Sequence, residues 1–415
     1  MSGSSSTFIL GGHQTDFAKA WSRQGQDLSD MMRESVLGAL ADARVEPAQV
    51  QSIHVGNAFA ELQSRQAHLG AMVAQVVPEL WGVPAMRHEG ACASASLAVL
   101  TAMAEIEAGR YDCVLVVGAE ELKNLPGDQS SQNQNAAAWQ GHEDIDCRFM
   151  WPAAFGLLVA EYERRYGLDR RHLNRIAELN YGNAKRNPLA QTRAWRFEPG
   201  AFSDDDELNP MIEPGTRRQD CGQITDGACS LLLASPAFAA AHAQRLGLSL
   251  DALPRISGWG HRNAGLRLKD KLSRSADAPL VFPHVRQAIA EAWQRAGIAG
   301  VQALSGIETH DCFTMTEYMA IDHFGLTPPG QSWQAVEDGR IERGGSCPIN
   351  MSGGLIGGGH PVGATGARML LDAARQVTGR AGDCQIEGAR RMQTLNIGGS
   401  CATVVSFVVE SGAAS

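Results

Sequence analysis

Apolar positions along the amino half alternate between strand-like runs and helical spacing. Residues 7–10 and 52–56 read as short strands, and residues 28–43 between them carry apolar side chains three and four apart, the signature of a helix packed on one face. A second helix is predicted over residues 93–107, with Leu97, Leu100, Ala104 and Glu107 on one side and Gly109 as the stop. The strongly apolar run 113–118 then reads as a buried strand. Such alternation predicts an α/β architecture with sheets covered by helices.

The pattern changes over residues 119–215. This stretch is rich in Asn, Gln, Arg and Trp, and its clear helical spacings fall only near 154–166 and 171–185. It reads as an insertion. Residues 226–234 return as the last strand of a first half, and a fresh start comes at 255–260. The second half carries an echo of the first. Val36, Ala39 and Ala43 recur 253 positions later as Ile289, Ala292 and Ala296, and Val50 and Ile53 recur 254 later as Leu304 and Ile307. The expected organisation is one half over 1–118 and 216–252, an inserted loop domain over 119–215, and a similar half over 253–415, with the site at the junction.

Composition narrows the class. The chain has 415 residues, 44% hydrophobic and 20% charged, which suits a globular protein with a large core. No apolar stretch reaches membrane-spanning length. Met1-Ser-Gly-Ser-Ser-Ser-Thr lacks the basic start and apolar core of a signal peptide, and the Ala-Ala-Ser end is not a peroxisomal address, so a cytoplasmic location is expected. Nine cysteines without a Cys-x-x-Cys pair argue against a disulfide framework and a structural metal site. A net charge of −9 argues against nucleic acid as a partner. Residues 164–196 break that trend, with nine basic residues, Lys185 and Arg186 among them, against Asp169 and Glu178. An anionic ligand is expected there.

Four glycine-rich or short polar loops carry candidate chemistry. Cys92 lies in Gly90-Ala91-Cys92-Ala93-Ser94, where a buried run ends and a helix begins. Free backbone N–H groups and the helix dipole at such a start favour the thiolate, the form that attacks carbonyls. An apolar-flanked cysteine is by itself more often a core residue. Its significance comes from three further segments: His310-Asp311-Cys312-Phe313, Gly358-Gly359-His360-Pro361 and Asn396-Ile397-Gly398-Gly399. The glycines around His360 do not match a nucleotide loop, because the Gly-Lys-Ser/Thr of a P-loop is missing. Acyl transfer through a thioester needs a nucleophilic thiol, a base, donors for an oxyanion and a second acid/base, and these loops contain each type. Cys401, Cys113, Cys229 and Cys347 read as core or turn residues, His13, His54 and His88 as structural, and Asp311 as a support for its loop.

Together these loops resemble the thiolase superfamily, and specifically its sterol-carrier-protein type. Gly-His-Pro-Val-Gly-Ala-Thr-Gly around His360 is similar to the family's histidine loop, and residues 89–96 to its nucleophile turn. His310-Asp311-Cys312-Phe313 stands where most thiolases carry Asn-Glu-Ala-Phe, and Asn396-Ile397-Gly398 where most carry Cys-x-Gly. Residues 183–188 resemble the subfamily's Asn-Asn-Pro stretch. The resemblance implies a five-layered α-β-α-β-α fold from two similar halves. It implies a coenzyme A-dependent acyltransferase, forming or cleaving 3-ketoacyl-CoA, with coenzyme A as co-substrate, no bound cofactor and no metal. Cys92 would hold the acyl group, His360 would deprotonate it and Cys312 would move protons on the second substrate. His310 and His360 would hold one thioester oxygen, the N–H groups of Cys92 and Gly398 the other, and Asn396 would orient its neighbours. Lys185 and Arg186, in the basic run, would meet coenzyme A. A homodimer or tetramer is implied. The alternative is a thiolase-like subunit joined to a small OB-fold partner, acting as a C-acyltransferase or retro-aldolase; the aldolase-like chains have lost the nucleophilic cysteine that this chain keeps.

Overall fold

The computed structural model describes residues 6–412. The leader and carboxy-terminal readings fall partly on residues 1–5 and 413–415, outside the described residues. The first half begins with strand β1 (Thr7–Gln14), followed by helix α1 (Leu28–Ala43) and strands β2 (Ser52–Gly56) and β3 (Ala85–His88). Helix α2 (Ser94–Glu107) and strands β4 (Cys113–Glu120) and β5 (Gly227–Ala234) complete it. The segment between β4 and β5 carries helices α3 (Met150–Tyr166) and α4 (Arg170–Ala184). The second half has β6 (Arg255–Asn263), α5 (Pro283–Ala296), β7 (Gly306–Thr309) and α6 (Thr314–Phe324), then α7 (Thr365–Val377), β8 (Arg391–Gly398) and β9 (Thr403–Glu410).

Local chemistry explains several boundaries. Asp27 caps α1 by accepting from the N–H groups of Ser29 and Asp30, and Asp30 reaches back to complete the box. Arg44, in the left-handed region at φ 51°, ends that helix. The first strand runs four residues beyond the expected end because Gly11 and Gly12 continue it, with a register shift after Ile9. A side chain on Gly11 would strike the backbone of Ala43 in α1.

The nine strands line up in the order β3-β2-β4-β5-β1-β6-β9-β8-β7. The subset β2-β4-β5-β1 is repeated as β7-β8-β9-β6, with parallel pairing inside β2–β4 and β7–β8 and antiparallel pairing elsewhere. The correspondence pairs α1 with α5 and β2 with β7, the elements that contain the sequence echo. One detail differs from two separate sheets: β1 joins β6 through the pairs Thr7–Ile256 and Phe8–Arg255, so the sheet is continuous.

Five layers follow from the core. Apolar residues of α1 pack on one face of the first sheet half, and those of α5 and α6 on the outer face of the second. Between the two halves lie α2 and α7, whose Ala98, Ala102, Leu370 and Ala374 share one core with Val116, Leu231 and Phe407. This central layer sets the site, because both helices begin where the parallel strands end. Among the described residues no helix is long and apolar enough to cross a membrane.

Candidate active site

The chemistry-bearing loops converge beyond the carboxyl ends of β3, β7 and β8, the usual location for ligands in α/β sheets. Cys92 lies in a tight 3-10 turn, Ala91–Ala93, ahead of α2. Ala91 holds φ at 51°, a left-handed conformation that costs a residue with a side chain on the order of 1–3 kcal/mol. Ser94 clamps the turn: its hydroxyl donates to the Ala91 carbonyl at 2.6 Å and accepts from the Gly90 N–H at 3.0 Å. His360 occupies the equivalent place in the second half, followed by a 3-10 turn over Val362–Ala364 and then α7. The preceding Gly359, at φ 114°, has a conformation that favours glycine.

Cys92 Sγ and one ring nitrogen from each of His310 and His360 lie within 4.8 Å of one another. The two imidazoles meet edge to face, 5.3 Å between centroids. Their hydrogen bonds give them opposite tautomers. His360 Nδ1 lies 2.8 Å from Thr365 Oγ1, and the threonine hydroxyl donates to the Pro361 carbonyl. Nδ1 therefore carries the hydrogen, and Nε2 is left as a base. His310 Nδ1 accepts from the Asn396 amide at 3.2 Å, so its Nε2–H is a donor. Ser96 donates to Asn396 Oδ1 at 2.7 Å, which turns the amide N–H groups toward His310. Asn396 thus orients an imidazole, and Gly366 leaves room for that chain, since a side chain there would strike Ser96 and Asn396.

Burial overrides the helix-start effect expected at Cys92. Loss of solvent pushes the thiol up to about 12, against the lowering from the Gly399 N–H and its own N–H. His360 is driven down to about 3, first by burial and then by the Arg368 guanidinium, so it is neutral at rest. Cys312 is likewise held well above the ordinary thiol range, by burial and then by Cys92, with the Thr316 hydroxyl opposing. The Gly399 N–H points to the Cys92 sulfur, and Gly398 packs against the Gly90 carbonyl.

Supporting groups hold the loops. Asp311 accepts from the Leu355 and Ile356 N–H groups and from Asn180 of α4. Glu120, at the end of β4, accepts from Asn57 and the N–H groups of Ala58, Phe59 and Gly363, tying the histidine loop to the first half. Cys92, Cys312 and His360 open into a cavity of about 400 Å³ walled by Phe59, Phe149, Trp151, Phe155, Phe313 and Val362.

A family profile described as "Thiolase, N-terminal domain" matches residues 7–195, and one described as "Thiolase C-terminal domain-like" matches residues 267–411. An acetyl-CoA acetyltransferase of Methanothermobacter thermautotrophicus is 30% identical over 96% of this chain and 98% of its own. The chain belongs to the thiolase family. Sterol carrier protein 2 of Homo sapiens is 27% identical over 96% of this chain and 71% of its own length. Among solved structures, one described as "Ltp2-ChsH2(DUF35) aldolase" shares the fold at a TM-score of 0.78 and 19% identity, covering 98% of each chain. An acetyl-CoA acetyltransferase from Syntrophomonas wolfei matches at 0.70 and 15%, covering 98% of this chain and 99% of its own.

Within this thiolase-family chain the basic run needs correction. Arg164 and Arg165 pair with Glu161, Arg170 with Asp220, Arg175 with Glu178 and Glu342, and Arg193 with Asp16. Acids outside the run neutralise most of its charge. Lys185 and Arg186 follow α4 on the exposed surface and do not line the cavity. Arg218 does, the one basic side chain besides His360 among the described residues that line it. Sequence reading misses it, since Arg217-Arg218 is a short basic pair outside the 164–196 run. A further wall comes from a helix at Gly127–Gln134, whose Asp128, Ser131 and Gln134 face the cavity; its sequence has no apolar period to reveal it. Cys221 also lines the cavity. Cys401, Cys113 and Cys229 are fully buried away from it, and His54 and His88 form a separate chain with Glu105.

Proposed function

We propose that the protein transfers acyl groups between coenzyme A thioesters, cleaving or forming 3-ketoacyl-CoA through an acyl-Cys92 intermediate. The observation that carries this reading is the pair of thiols, Cys92 and Cys312, opening with His360 into one cavity, with the second imidazole, His310, buried edge to face against His360. In the cleavage direction His360 Nε2 takes the Cys92 proton as Sγ attacks the 3-keto carbon. The C2–C3 bond breaks, and its electrons pass into the enolate of the departing acetyl-CoA. His310 Nε2–H and the newly protonated His360 hold the enolate oxygen. Cys312 gives its proton to C2, then recovers one from the thiol of incoming coenzyme A. The coenzyme A sulfur attacks the acyl carbon, whose oxygen is held by the N–H groups of Cys92 and the Gly398–Gly399 turn. Cys92 departs and regains its proton from His360. Arg218 meets the coenzyme A phosphates at the cavity mouth.

Incubation with acetyl-CoA or acetoacetyl-CoA, followed by digestion and mass mapping, should find the acyl group on Cys92, and Cys92→Ser should abolish it. An adduct confined to Cys312 or Cys401 would overturn the assignment. A second reading, a subunit completed by a small OB-fold partner, draws support from the fold shared with the DUF35 aldolase structure. Activity seen only on co-expression with such a partner would favour it. A homodimer or tetramer is part of the first reading, supported by β3, an edge strand that presents Met86 to solvent; a monomer at micromolar concentration by sedimentation would refute it.

A further inference from the structure

Behind the two imidazoles lies an ion cluster that the acyl-transfer scheme does not use. Arg368, on α7, is fully enclosed. Its Nη1 reaches Ser352 Oγ at 2.8 Å, Asp372 Oδ2 at 2.9 Å and Glu308 Oε2 at 3.3 Å. Ser352 in turn donates to Glu308 Oε2 at 2.6 Å, and its N–H meets Oε1. These partners come from three segments. Glu308 is on β7, two residues before His310 and therefore on the same side of that extended segment. Ser352 lies in the glycine-rich stretch that leads to His360. Arg368 follows Thr365, which holds His360 Nδ1, by one helical turn.

We infer that Arg368 is a positioning residue for acyl transfer, locking the strand that bears His310 to the helix and loop that bear His360 and so fixing the separation of the two imidazoles. The inference rests on the proposed reaction for its kinetic consequence, although the geometry stands without it. Each histidine has its own local clamp, Thr365 for His360 and Asn396 for His310. Those clamps set ring orientation within each loop, whereas the Arg368 cluster sets one loop against the other.

The cluster is also the cationic background of the site. The titratable groups brought together with the imidazoles are Cys92, whose sulfur lies with both rings, each imidazole itself, and Arg368 behind them. Arg368 is the cation among the causes that keep both histidines low, after burial for His360, and after burial and His360 for His310. All three contacts are made by Nη1, while Nη2 is buried without a hydrogen-bond partner, so a lysine ammonium with three donors on one nitrogen could replace part of the set. A buried cation already bonded to two carboxylates is retained at a desolvation cost that plain packing would avoid.

The test uses the full chain with Arg368→Gln, Arg368→Lys and Glu308→Gln. The readouts are kcat and KM with acetoacetyl-CoA, and the imidazole nitrogen shifts of histidine-labelled protein by NMR. Arg368→Gln should lower kcat about 10- to 100-fold, the scale of a misplaced catalytic group, with KM within twofold. Its NMR spectrum should lose the single-tautomer pattern of His310 and His360. Arg368→Lys should recover part of both. Glu308→Gln should shift both readouts in the same direction by a smaller factor, and it carries the test if Arg368→Gln does not fold. Folded variants that keep kcat within twofold and the native tautomer pattern would overturn the inference. So would a fall in kcat with unchanged imidazole signals, which marks a merely structural role. If no variant, including the native chain, turns over acyl-CoA while the tautomer pattern still collapses in Arg368→Gln, the reaction assignment fails and the positioning role stands.

Discussion

Thr365→Val removes one oxygen and keeps the shape of a side chain that is buried at the first position of α7. In the native chain the hydroxyl accepts from His360 Nδ1 at 2.8 Å. The valine methyl accepts nothing, and a buried N–H left unpaired costs about 1–3 kcal/mol. That penalty applies only to the tautomer with hydrogen on Nδ1, the one whose Nε2 can take the Cys92 proton. The other tautomer places Nε2–H against the thiol and cannot act as a base. At about 1.4 kcal/mol per tenfold, the fraction of competent imidazole should fall by roughly 5- to 140-fold. Single-turnover acylation of Cys92 by acetyl-CoA, followed by mass spectrometry on quenched samples, measures this directly. Thr365→Ser keeps the acceptor and should acylate at close to the native rate, while KM should hold in both. Acylation within twofold of native in Thr365→Val would refute the tautomer argument. Equal losses in the valine and serine variants would place the effect in packing.

Cys312→Ala should lower thiolysis by about 10²–10⁴-fold, the usual cost of removing a general acid/base, whereas Cys401→Ala, buried away from the cavity, should change turnover less than twofold; steady-state rates with acetoacetyl-CoA separate the two. Arg218→Glu should raise KM for acyl-CoA about tenfold with little change in kcat, and Lys185→Glu with Arg186→Glu should leave KM unchanged; the reverse result would return the phosphates to the end of α4. Burial pushes the Glu120 carboxyl up to about 7 from an ordinary 4.5. Between those values the folded chain holds a proton that the unfolded chain has released, so this group's contribution to stability falls as pH rises through that window, by up to about 3 kcal/mol. Glu120→Gln should flatten that part of the denaturation profile between pH 4.5 and 7, and an unchanged slope would remove Glu120 as its source.

Element order and the duplication are legible in the amino-acid sequence because both are written in local periodicity. Residues 28–43 form α1 at the expected bounds, capped by Asp27, and the spacing shared by Val36 and Ile289 falls on corresponding helices. The loops bearing Cys92 and His360 stand out because reactive side chains there sit among glycines and small residues, and His310-Asp311-Cys312 because reactive types are adjacent. Other features depend on partners distant along the chain. Arg175 finds Glu342 and Arg193 finds Asp16, partners more than 160 residues away, so the basic run has the composition of a binding site although it is mostly neutralised. The state of the Cys92 thiol escapes a sequence reading for a related reason. Its helix start is local, but the desolvation that outweighs it comes from walls supplied by several separate segments. Arg218 and the polar helix at Gly127–Gln134 carry no pattern at all, and only the cavity reveals them.

The place of α2 and α7 between the two sheet halves has a mechanical consequence. Cys92 and His360 sit just ahead of two helices that share one dry core, Cys92 in the turn before α2 and His360 before the turn that leads into α7. Their spacing is therefore inherited from helix-to-helix fit, set by Ala98, Ala102, Leu370 and Ala374 at the contact. A methyl too many or too few in that layer, well over a helical turn from any substrate, becomes an error in where the proton acceptor stands. Mutational tolerance should then divide unevenly across the molecule: the outer helices α1 and α5 can exchange apolar residues with little kinetic penalty, while the inner pair registers each change in volume as a change in rate before the chain as a whole loosens.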